Sequence, residues 1–258
     1  MPTTITLHIT EPAVPPYPAQ LHGAACQFLE PAEADHTAQS KPFTVGAPLA
    51  ECGVVTWRLG WLPDVALPAP WPPSQLRLGS SVCRILDARA THQSFATLAA
   101  SRPVVRGLMR FVTPTYFSRN GRDVPLPDPV LVLRSLLQRW NTFAPTGLVI
   151  DEELSRGLLG AVLLTGAAVA TERVQVGRLA WQTGFVGEAE FGITRTAPPR
   201  VDAVFTALLR FAAVAGVGAQ TTHGFGEVCP HLDNLPRSHR SGDEAPAVSP
   251  VDPALAAV

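Results

Sequence analysis

Two hydrophobic periodicities alternate along the first hundred residues. Apolar residues recur at every second position in some segments, which predicts β-strands, and at every third or fourth position in others, which predicts helices. In chain order these are a strand at residues 5–9, a helix that opens at the prolines of residues 15–18, strands at 54–59 and 76–86, a short helix containing Phe95, Leu98 and Ala99, and an extended segment from Val104. The predicted order, β-α-β-β-α-β, is that of the ferredoxin-like fold.

The second half of the chain repeats this order. In chain order it has an extended segment at residues 110–117, a tight turn at Asn120-Gly121, a helix that opens at Asp128-Pro129, a helix that opens at Asp151 and stops near Gly166, strands at 174–181 and 185–193, a helix from Val201 to Gly216, and a strand at 227–231. We therefore expect an α+β protein of two tandem ferredoxin-like (RRM-like) domains, at residues 1–106 and 107–233. Residues 234–258 lack periodicity and are rich in Pro, Ala and Ser, which predicts a disordered tail.

Composition limits the cellular setting. The chain has 258 residues, of which 46% are apolar, enough for two ordinary domains with their own cores. The N-terminus lacks the basic and apolar regions of a signal peptide, and the longest apolar stretch, at residues 157–170, is too short to span a bilayer. The cysteines form no C-x-x-C pair, so we expect neither disulfides nor a zinc site, and a cytoplasmic protein without membrane contact. We expect all four to be small core residues: Cys26, Cys52, Cys83 and Cys229.

The distribution of charged residues along the chain is more informative than the net charge. A net charge of −1 argues against a nucleic-acid binder. Residues 1–76, however, hold two cations and six acids, whereas residues 77–122 hold eight arginines and only Asp87, a local net charge of +7. Such a block is commonly a solvated face, but it is also the pattern expected where phosphates bind, because a guanidinium pairs with phosphate through two parallel hydrogen bonds. The candidate contacts from this block are Arg110, Arg119 and Arg122.

A glycine-rich segment lies between the last predicted helix and the last predicted strand. It reads Gly-Val-Gly-Ala-Gln-Thr-Thr-His-Gly-Phe-Gly over residues 216–226. Glycines permit positive φ and close approach to a ligand, and exposed N–H groups in such a loop can bind phosphate oxygens. A helix C-cap followed by a hairpin turn is the simpler interpretation. The segment is neither a Walker A loop nor a dinucleotide-binding motif, because no Gly-Lys-Ser/Thr follows and the loop leads from a helix into a strand.

These glycines carry a resemblance. Gly-Val-Gly and Gly-Phe-Gly at this place are similar to the signature loop of the repeat-associated RNA-binding proteins of CRISPR systems, and within them the chain most resembles the Cas-six endoribonucleases. The likeness runs from about Leu21 to Val228, and it includes the segments at 111–117, 125–129, Ser135-Leu136, Arg139-Trp140-Asn141 and 184–188. It implies RNA contact by loop residues, here Gly216, Gly218, Gln220, Thr221, Thr222, His223, Gly224 and Gly226. The family's loop normally holds a basic residue. Here only His223 could serve, so we expect phosphate contact through backbone N–H groups.

The resemblance also implies an activity. Cas-six proteins bind the CRISPR repeat and cut precursor CRISPR RNA without a metal or other cofactor, leaving 2′,3′-cyclic phosphate and 5′-hydroxyl ends. CRISPR repeat RNA is thus the expected partner, with effector-complex subunits and a homodimer left open. Two other functions compete with this one. The chain could be a non-catalytic RNA-binding scaffold subunit of an effector complex, or an interaction protein that binds no nucleic acid.

The chemistry needs a proton-transfer group and a cation, for which histidine and lysine are suited. The family carries a catalytic histidine and a lysine in the loop after the first helix, and the matching residues are His36 and Lys41, the only lysine in the chain. Some members also use a tyrosine on that helix, but Cys26 stands at this position, and His22 or Tyr17 could compensate. The other histidines are expected to be structural or bystanders: His8, His92, His231 and His239.

Overall fold

The computed structural model describes residues 1–30, 40–68, 70–177 and 179–232. Side chains alternate between buried and partly exposed along the first strand, as predicted, and this strand lies within a sheet of six. The elements of this half are β1 (Thr3–Thr10), α1 (Pro18–Leu29), β2 (Phe43–Val45), β3 (Leu49–Glu51), β4 (Val54–Trp61), β5 (Gln75–Leu78), β6 (Ser81–His92) and α2 (Phe95–Ala99).

The first sheet has the order β2-β4-β1-β6-β5, with β3 paired to β4 and all neighbours antiparallel. Counted along the chain, β1, β2, β4 and β6 are the first to fourth strands, and they lie side by side in the order second, third, first, fourth. This is the ferredoxin-like arrangement. The helix α1 covers one face of the sheet, where Leu21, Ala25 and Leu29 pack against the apolar side chains of β1 and β4.

The second sheet repeats the arrangement with the order β10-β11-β7-β12. Its elements are β7 (Arg106–Thr115), β8 (Phe117–Arg119), β9 (Arg122–Val124), α3 (Pro129–Phe143), a 3-10 turn (Thr146–Leu148), α4 (Glu152–Ala161), β10 (Val162–Gln175), β11 (Trp181–Ile193), α5 (Val201–Ala215) and β12 (Val228–His231). The strands β7, β10, β11 and β12 again lie in the order second, third, first, fourth. The chain is thus an α+β protein with two ferredoxin-like units in tandem, as the sequence predicts.

Local signals placed several elements correctly. Asp128 and Asp151 cap α3 and α4, and each side chain accepts a hydrogen bond from the first turn of its helix, from Leu131 N at 2.9 Å and from Leu154 N at 2.8 Å. Asn120 and Gly121 both have positive φ, as a two-residue hairpin turn requires, and they join β8 to β9. Capping and turn chemistry act over a few residues, so they can be read from sequence.

Two predictions in the first half are wrong. Residues 76–86 form two strands, β5 and β6, because Gly79 turns the chain with φ +60°. The extended segment from Val104 does not complete the first sheet. It leads into β7 of the second sheet, and β6 takes the expected place beside β1. A proline-rich connection stands between β4 and β5 where the ferredoxin-like order has its second helix, since prolines disfavour a helix interior.

Two predictions in the second half are also wrong. The helix α4 ends at Ala161 rather than near Gly166, and the predicted strand at 174–181 covers the end of β10 and the turn into β11. The strand β10 lies at the sheet edge and is exposed on both faces along most of its length. An edge strand of this kind lacks the alternating pattern that a half-buried strand shows. Its apolar start, Val162 to Leu164, therefore looks like a continuation of the helix.

The helix α5 joins the two halves. It is buried around most of its circumference, in a core that contains Phe205, Leu209 and Phe211 and also receives Phe95 and Leu98 of α2. At its C-terminal end the carbonyl of Val214 accepts a hydrogen bond of 2.8 Å from Thr44 Oγ1 on β2 of the first sheet. Arg58 of β4 and Glu227, just before β12, form an ion pair of 3.4 Å between the same two halves.

The structure tests only some of the remaining predictions. Cys83 is buried, but Cys26 and Cys229 are partly exposed and Cys52 is exposed, so the prediction of four core cysteines holds for Cys83 alone. The domain boundary at residues 106/107 stays a prediction, and the predicted disordered tail lies outside the described residues. In the part of the chain that the structure describes, no helix has the length and apolar character needed to cross a membrane.

We predict that Gly60→Ala destabilises the protein. A Cβ at this position would overlap the Val214 carbonyl oxygen of α5, and crowding of a packed contact costs about 1–3 kcal/mol. The matched control is Gly23→Ala on the exposed side of α1, where a Cβ meets nothing within 4 Å and helix propensity predicts a gain of about 0.5–1 kcal/mol. Urea unfolding measures both. An unchanged free energy of unfolding for Gly60→Ala would contradict the close contact between α5 and the first sheet.

Candidate functional site

The glycine-rich loop connects α5 to β12. Its four glycines, Gly216, Gly218, Gly224 and Gly226, all have positive φ, between 61° and 89°. A Cβ at Gly218 or Gly226 would overlap a backbone carbonyl, that of Tyr116 or of Val217. The glycines are therefore required by the path of the backbone itself, as the helix-cap interpretation predicts.

Five N–H groups at the two ends of the glycine-rich loop are already used within the protein. Their acceptors are Ala212 O for Gly216, Gly226 O for Val217, Ser135 Oγ for Gly218, Tyr116 O for Ala219 and Pro114 O for Gly226. These groups cannot also bind a phosphate. The backbone contact expected of the loop is therefore restricted to its other residues.

The middle of the loop lines an open groove of about 480 Å³. The groove brings together the C-terminal end of the loop that contains Lys41, the helix α3, the strand β8 and the glycine-rich loop. Its polar lining is Ser40, Lys41, Ser118, Arg134, Ser135, Gln138, Arg139, Thr142, Gly218, Gln220, Thr221, Thr222 and His223. Among the described residues this lining includes no aspartate or glutamate, so this part of the groove suits an anion.

A histidine pair attaches the loop to α1. The rings of His22 and His223 are stacked, with centroids 4.2 Å apart and planes 6° from parallel. His22 Nδ1 lies 3.1 Å from the Thr222 carbonyl oxygen, which can only accept, so Nδ1 carries the proton. Burial, with a smaller contribution from His22, lowers the pKa of His223 to about 4. His223 is therefore neutral at neutral pH and does not replace the basic residue that the loop lacks.

A line of polar side chains continues from this pair along α1. Cys26 Sγ lies 3.5 Å from His22 Nε2, and Glu30, one turn further, forms an ion pair with Lys41. Burial, followed by the nearby Glu30 carboxylate, raises the pKa of the Cys26 thiol to about 11, so it is not a thiolate base at neutral pH. The side chains of Lys41 and Glu30 are 10% and 2% exposed. Lys41 is thus held at the groove by a buried carboxylate.

The other residues predicted to be catalytic are His36, Tyr17 and His22. His36 lies outside the described residues. Tyr17 is the N-cap residue of α1, is 40% exposed and is not part of the groove lining. His22 contacts the lining through His223. The structure therefore brings Lys41 and the glycine-rich loop together, although Lys41 and Gly218 are 177 positions apart in the sequence.

The arginine-rich block is spread over both sheets. Arg110 is exposed on β7, where Glu188 and Cys229 are its neighbours across the strands. Arg119 and Arg122 are exposed and face each other across the β8–β9 hairpin, next to Ser118 of the groove lining. None of the eight arginines of residues 77–122 belongs to the groove lining itself. As RNA contacts, the three candidates stay predictions.

Two arginines of α3 line the groove but were not predicted from the sequence as site residues. Arg134 and Arg139 are the cations of the groove besides Lys41. Arg139 donates to Gly216 O at 2.9 Å, to Gly218 O at 2.7 Å and to Ser135 Oγ at 3.3 Å. Burial lowers the pKa of Arg139 to about 10, which leaves the guanidinium charged at neutral pH. The signal in the sequence was the polar face of α3, opposite its buried leucines.

The other described histidines lie away from the groove. His8 lies on β1, 3.5 Å from Asp87, and His92 Nδ1 is 2.8 Å from Thr3 Oγ1. His231 is exposed on β12 and His239 lies outside the described residues. Among the described residues, no group of three or more His, Cys, Asp or Glu side chains could hold a metal ion.

We predict that His223 makes the stability of the fold depend on pH. In the unfolded chain His223 takes up a proton below its ordinary pKa of 6.5. In the folded chain the His223 ring stays neutral until the pH approaches about 4, which is its lowered pKa. The free energy of unfolding should therefore fall as the pH is lowered through this window. His223→Gln should make the dependence shallower in urea unfolding, and His231→Gln is the control. An identical pH dependence in wild type and His223→Gln would contradict the burial of a neutral ring.

Comparisons with known proteins agree with this geometry. The family model for the CRISPR-associated endoribonuclease Cas6 matches residues 109–228. A CRISPR-associated endoribonuclease Cas6 from Mycobacterium tuberculosis is 28% identical over 252 residues, which cover 87% of this chain and 76% of the relative. A Thermus thermophilus Cas6 solved as a product complex is 27% identical with a TM-score of 0.75, over 90% of this chain and 100% of that one. Another Cas6 product complex is 25% identical with a TM-score of 0.74, over the same shares. Residues 109–228 are thus similar to the Cas6 family of CRISPR-associated endoribonucleases, and most of the chain is similar to individual Cas6 proteins.

Proposed function

We propose that the chain is a metal-independent endoribonuclease that binds the CRISPR repeat and cleaves precursor CRISPR RNA. The observation that carries this proposal is the groove, in which Lys41 and the glycine-rich loop line one surface, with no acidic side chain among its described lining residues. Such a surface attracts a phosphodiester backbone. The solved relatives include a Cas6 bound to a substrate mimic and two product complexes, which supports RNA as the ligand of this groove.

The proposed reaction is an internal transesterification of RNA. A base removes the proton of a 2′-hydroxyl, and the 2′-oxygen forms a bond to the adjacent phosphorus. The bond from phosphorus to the 5′-oxygen breaks, and an acid returns a proton to that oxygen. The products are a 2′,3′-cyclic phosphate and a 5′-hydroxyl, so atoms and charge balance without water or a cofactor.

His36 and Lys41 are the residues to which we assign this chemistry. A histidine titrates near neutrality and can serve as the acid or the base. His36 lies five positions before Lys41, and Lys41 is part of the groove lining. We propose that the Lys41 ammonium donates to the pentavalent phosphate. Glu30 holds this ammonium in place and at the same time offsets part of its charge.

Of the two residues that could compensate for the missing tyrosine, His22 is the one that lies next to the groove. It stacks on His223, which lines the groove, whereas Tyr17 is exposed at the start of α1. Both ring nitrogens of His22 lie near protein partners, Thr222 O and Cys26 Sγ. We therefore assign His22 to the support of the loop rather than to a proton transfer.

A non-catalytic RNA-binding scaffold is the second candidate function. The ion pair between Lys41 and the buried Glu30 favours it, because a neutralised lysine gives less electrostatic stabilisation to a transition state. Effector-complex subunits and a second copy of the chain stay predictions as partners.

We predict that the wild-type protein cleaves its cognate repeat RNA in excess EDTA. A single 2′-deoxy nucleotide at the cut site should abolish cleavage without loss of binding, because it removes the nucleophile. His36→Ala should slow single-turnover cleavage about 10²–10⁴-fold. His231→Ala, exposed on the edge strand β12, is the matched control.

Lys41 needs a paired variant. Lys41→Ala would take the partner cation from a buried carboxylate, which destabilises a fold by about 3–5 kcal/mol. Lys41→Met combined with Glu30→Gln removes both charges, and we expect it to slow cleavage about 10²–10³-fold. Tight binding without cleavage by the wild type would favour the scaffold. Absence of both binding and cleavage would refute both RNA functions, and wild-type cleavage by His36→Ala would refute the assignment of the catalytic residue.

A further inference from the structure

The loop that identifies the family lacks a positive charge of its own in this chain. Its only titratable residue, His223, is neutral at neutral pH, and the N–H groups of Gly216 to Ala219 and of Gly226 are bonded within the protein. Lys41, at the other side of the groove, is paired with Glu30. If RNA is held against this loop, another group has to balance the phosphate charge.

That group is available on α3. Arg134, Gln138 and Arg139 all line the groove beside the glycine-rich loop. Within the described residues, neither Arg134 nor Arg139 has a carboxylate at ion-pair distance. A charge that is partly removed from water without a counter-ion is costly, and sites that accept this cost are candidate binding sites for an ion of the opposite sign.

The contacts of Arg139 fix where such an ion would bind. The guanidinium makes three hydrogen bonds, to two loop carbonyls and to Ser135 Oγ. A guanidinium has five N–H groups, so two have no acceptor among the described residues. The carbonyls of Gly216 and Gly218 are neutral and leave the full positive charge of Arg139 in place. Arg134 is exposed and less than two turns away on the same helix, so a second cation is near the first.

We propose that Arg134 and Arg139, with Gln138 between them, form a phosphodiester-binding subsite that holds the RNA backbone against the glycine-rich loop. This inference rests on the proposed function, because its ligand is the RNA that the groove binds. Arg139 has two roles in this subsite. The same guanidinium fixes the loop through two carbonyls and presents its remaining N–H groups to the ligand.

The closing experiment measures binding of repeat RNA blocked by a 2′-deoxy nucleotide at its cut site. Arg134→Gln is the main variant, since Arg134 is exposed and its side chain makes no hydrogen bond to another described side chain or backbone group. Arg139→Lys keeps a charge and loses the fork of the guanidinium, and its fold is checked by thermal unfolding. Arg156→Gln is the control, because Arg156 is an exposed arginine of α4 that is paired with Glu152 outside the groove.

We expect Arg134→Gln and Arg139→Lys each to weaken binding on the order of tenfold, as loss of a charge-assisted hydrogen bond does. For Arg134→Gln the slope of log affinity against log salt should also become shallower by about 0.7–0.9, the value for one phosphate contact. In a methylphosphonate scan, single phosphates of the repeat RNA are replaced by neutral linkages. One such replacement should weaken RNA binding by the wild type and should not weaken binding by Arg134→Gln any further.

The outcomes separate this proposal from the proposed function. If the wild type cleaves and Arg134→Gln binds with unchanged affinity and salt slope, the subsite is refuted and the endoribonuclease stands. Weaker binding with an unchanged salt slope also refutes it, because the residue then acts through structure. If the wild type neither binds nor cleaves repeat RNA, the proposed function is refuted and the subsite with it.

Discussion

The burial of α5 is the constraint on which the rest of the structure depends. A helix that is apolar around most of its surface has to be covered on all sides, and no single sheet can do this. The second unit covers its body, and the first sheet meets its C-terminal end, where Thr44 bonds to the Val214 carbonyl and Gly60 leaves room for it. The glycine-rich loop begins two residues later, at Gly216, so the packing of one helix decides which part of the first unit this loop meets.

The loop and the groove are consequences of that placement. The loop reaches β2 through a bond of 2.8 Å from Val45 N to Thr221 O, and it reaches α1 through the stacked histidines. On the other side Arg139 holds two of its carbonyls from α3. Three elements that are far apart in sequence thus hold one loop, and Lys41 lies beside it because β2 follows directly. Rigid support of this kind is what positions a candidate site.

The charges of the site show how local chemistry and burial interact. The sequence offers a histidine in the loop and a single lysine before β2, and both look like cations for phosphate. Burial keeps His223 neutral and Glu30 offsets the charge of Lys41, so neither acts as an isolated cation. The uncompensated charge is on α3 instead. It follows that the residues that look like cations in the sequence need not be those that supply the positive charge of the groove.

The amino-acid sequence by itself determined the elements whose signals are local. These include the capped helices α3 and α4, the Asn120-Gly121 turn, the fold class through the order of the elements, and the resemblance to the Cas6 family through the glycine-rich segment. Only the tertiary structure decided that the segment from Val104 joins the second sheet, that residues 162–175 form an edge strand, and that Arg139 holds the loop. Strand pairing and the closeness of distant side chains depend on packing over the whole chain, whereas caps and turns depend on a few neighbouring residues.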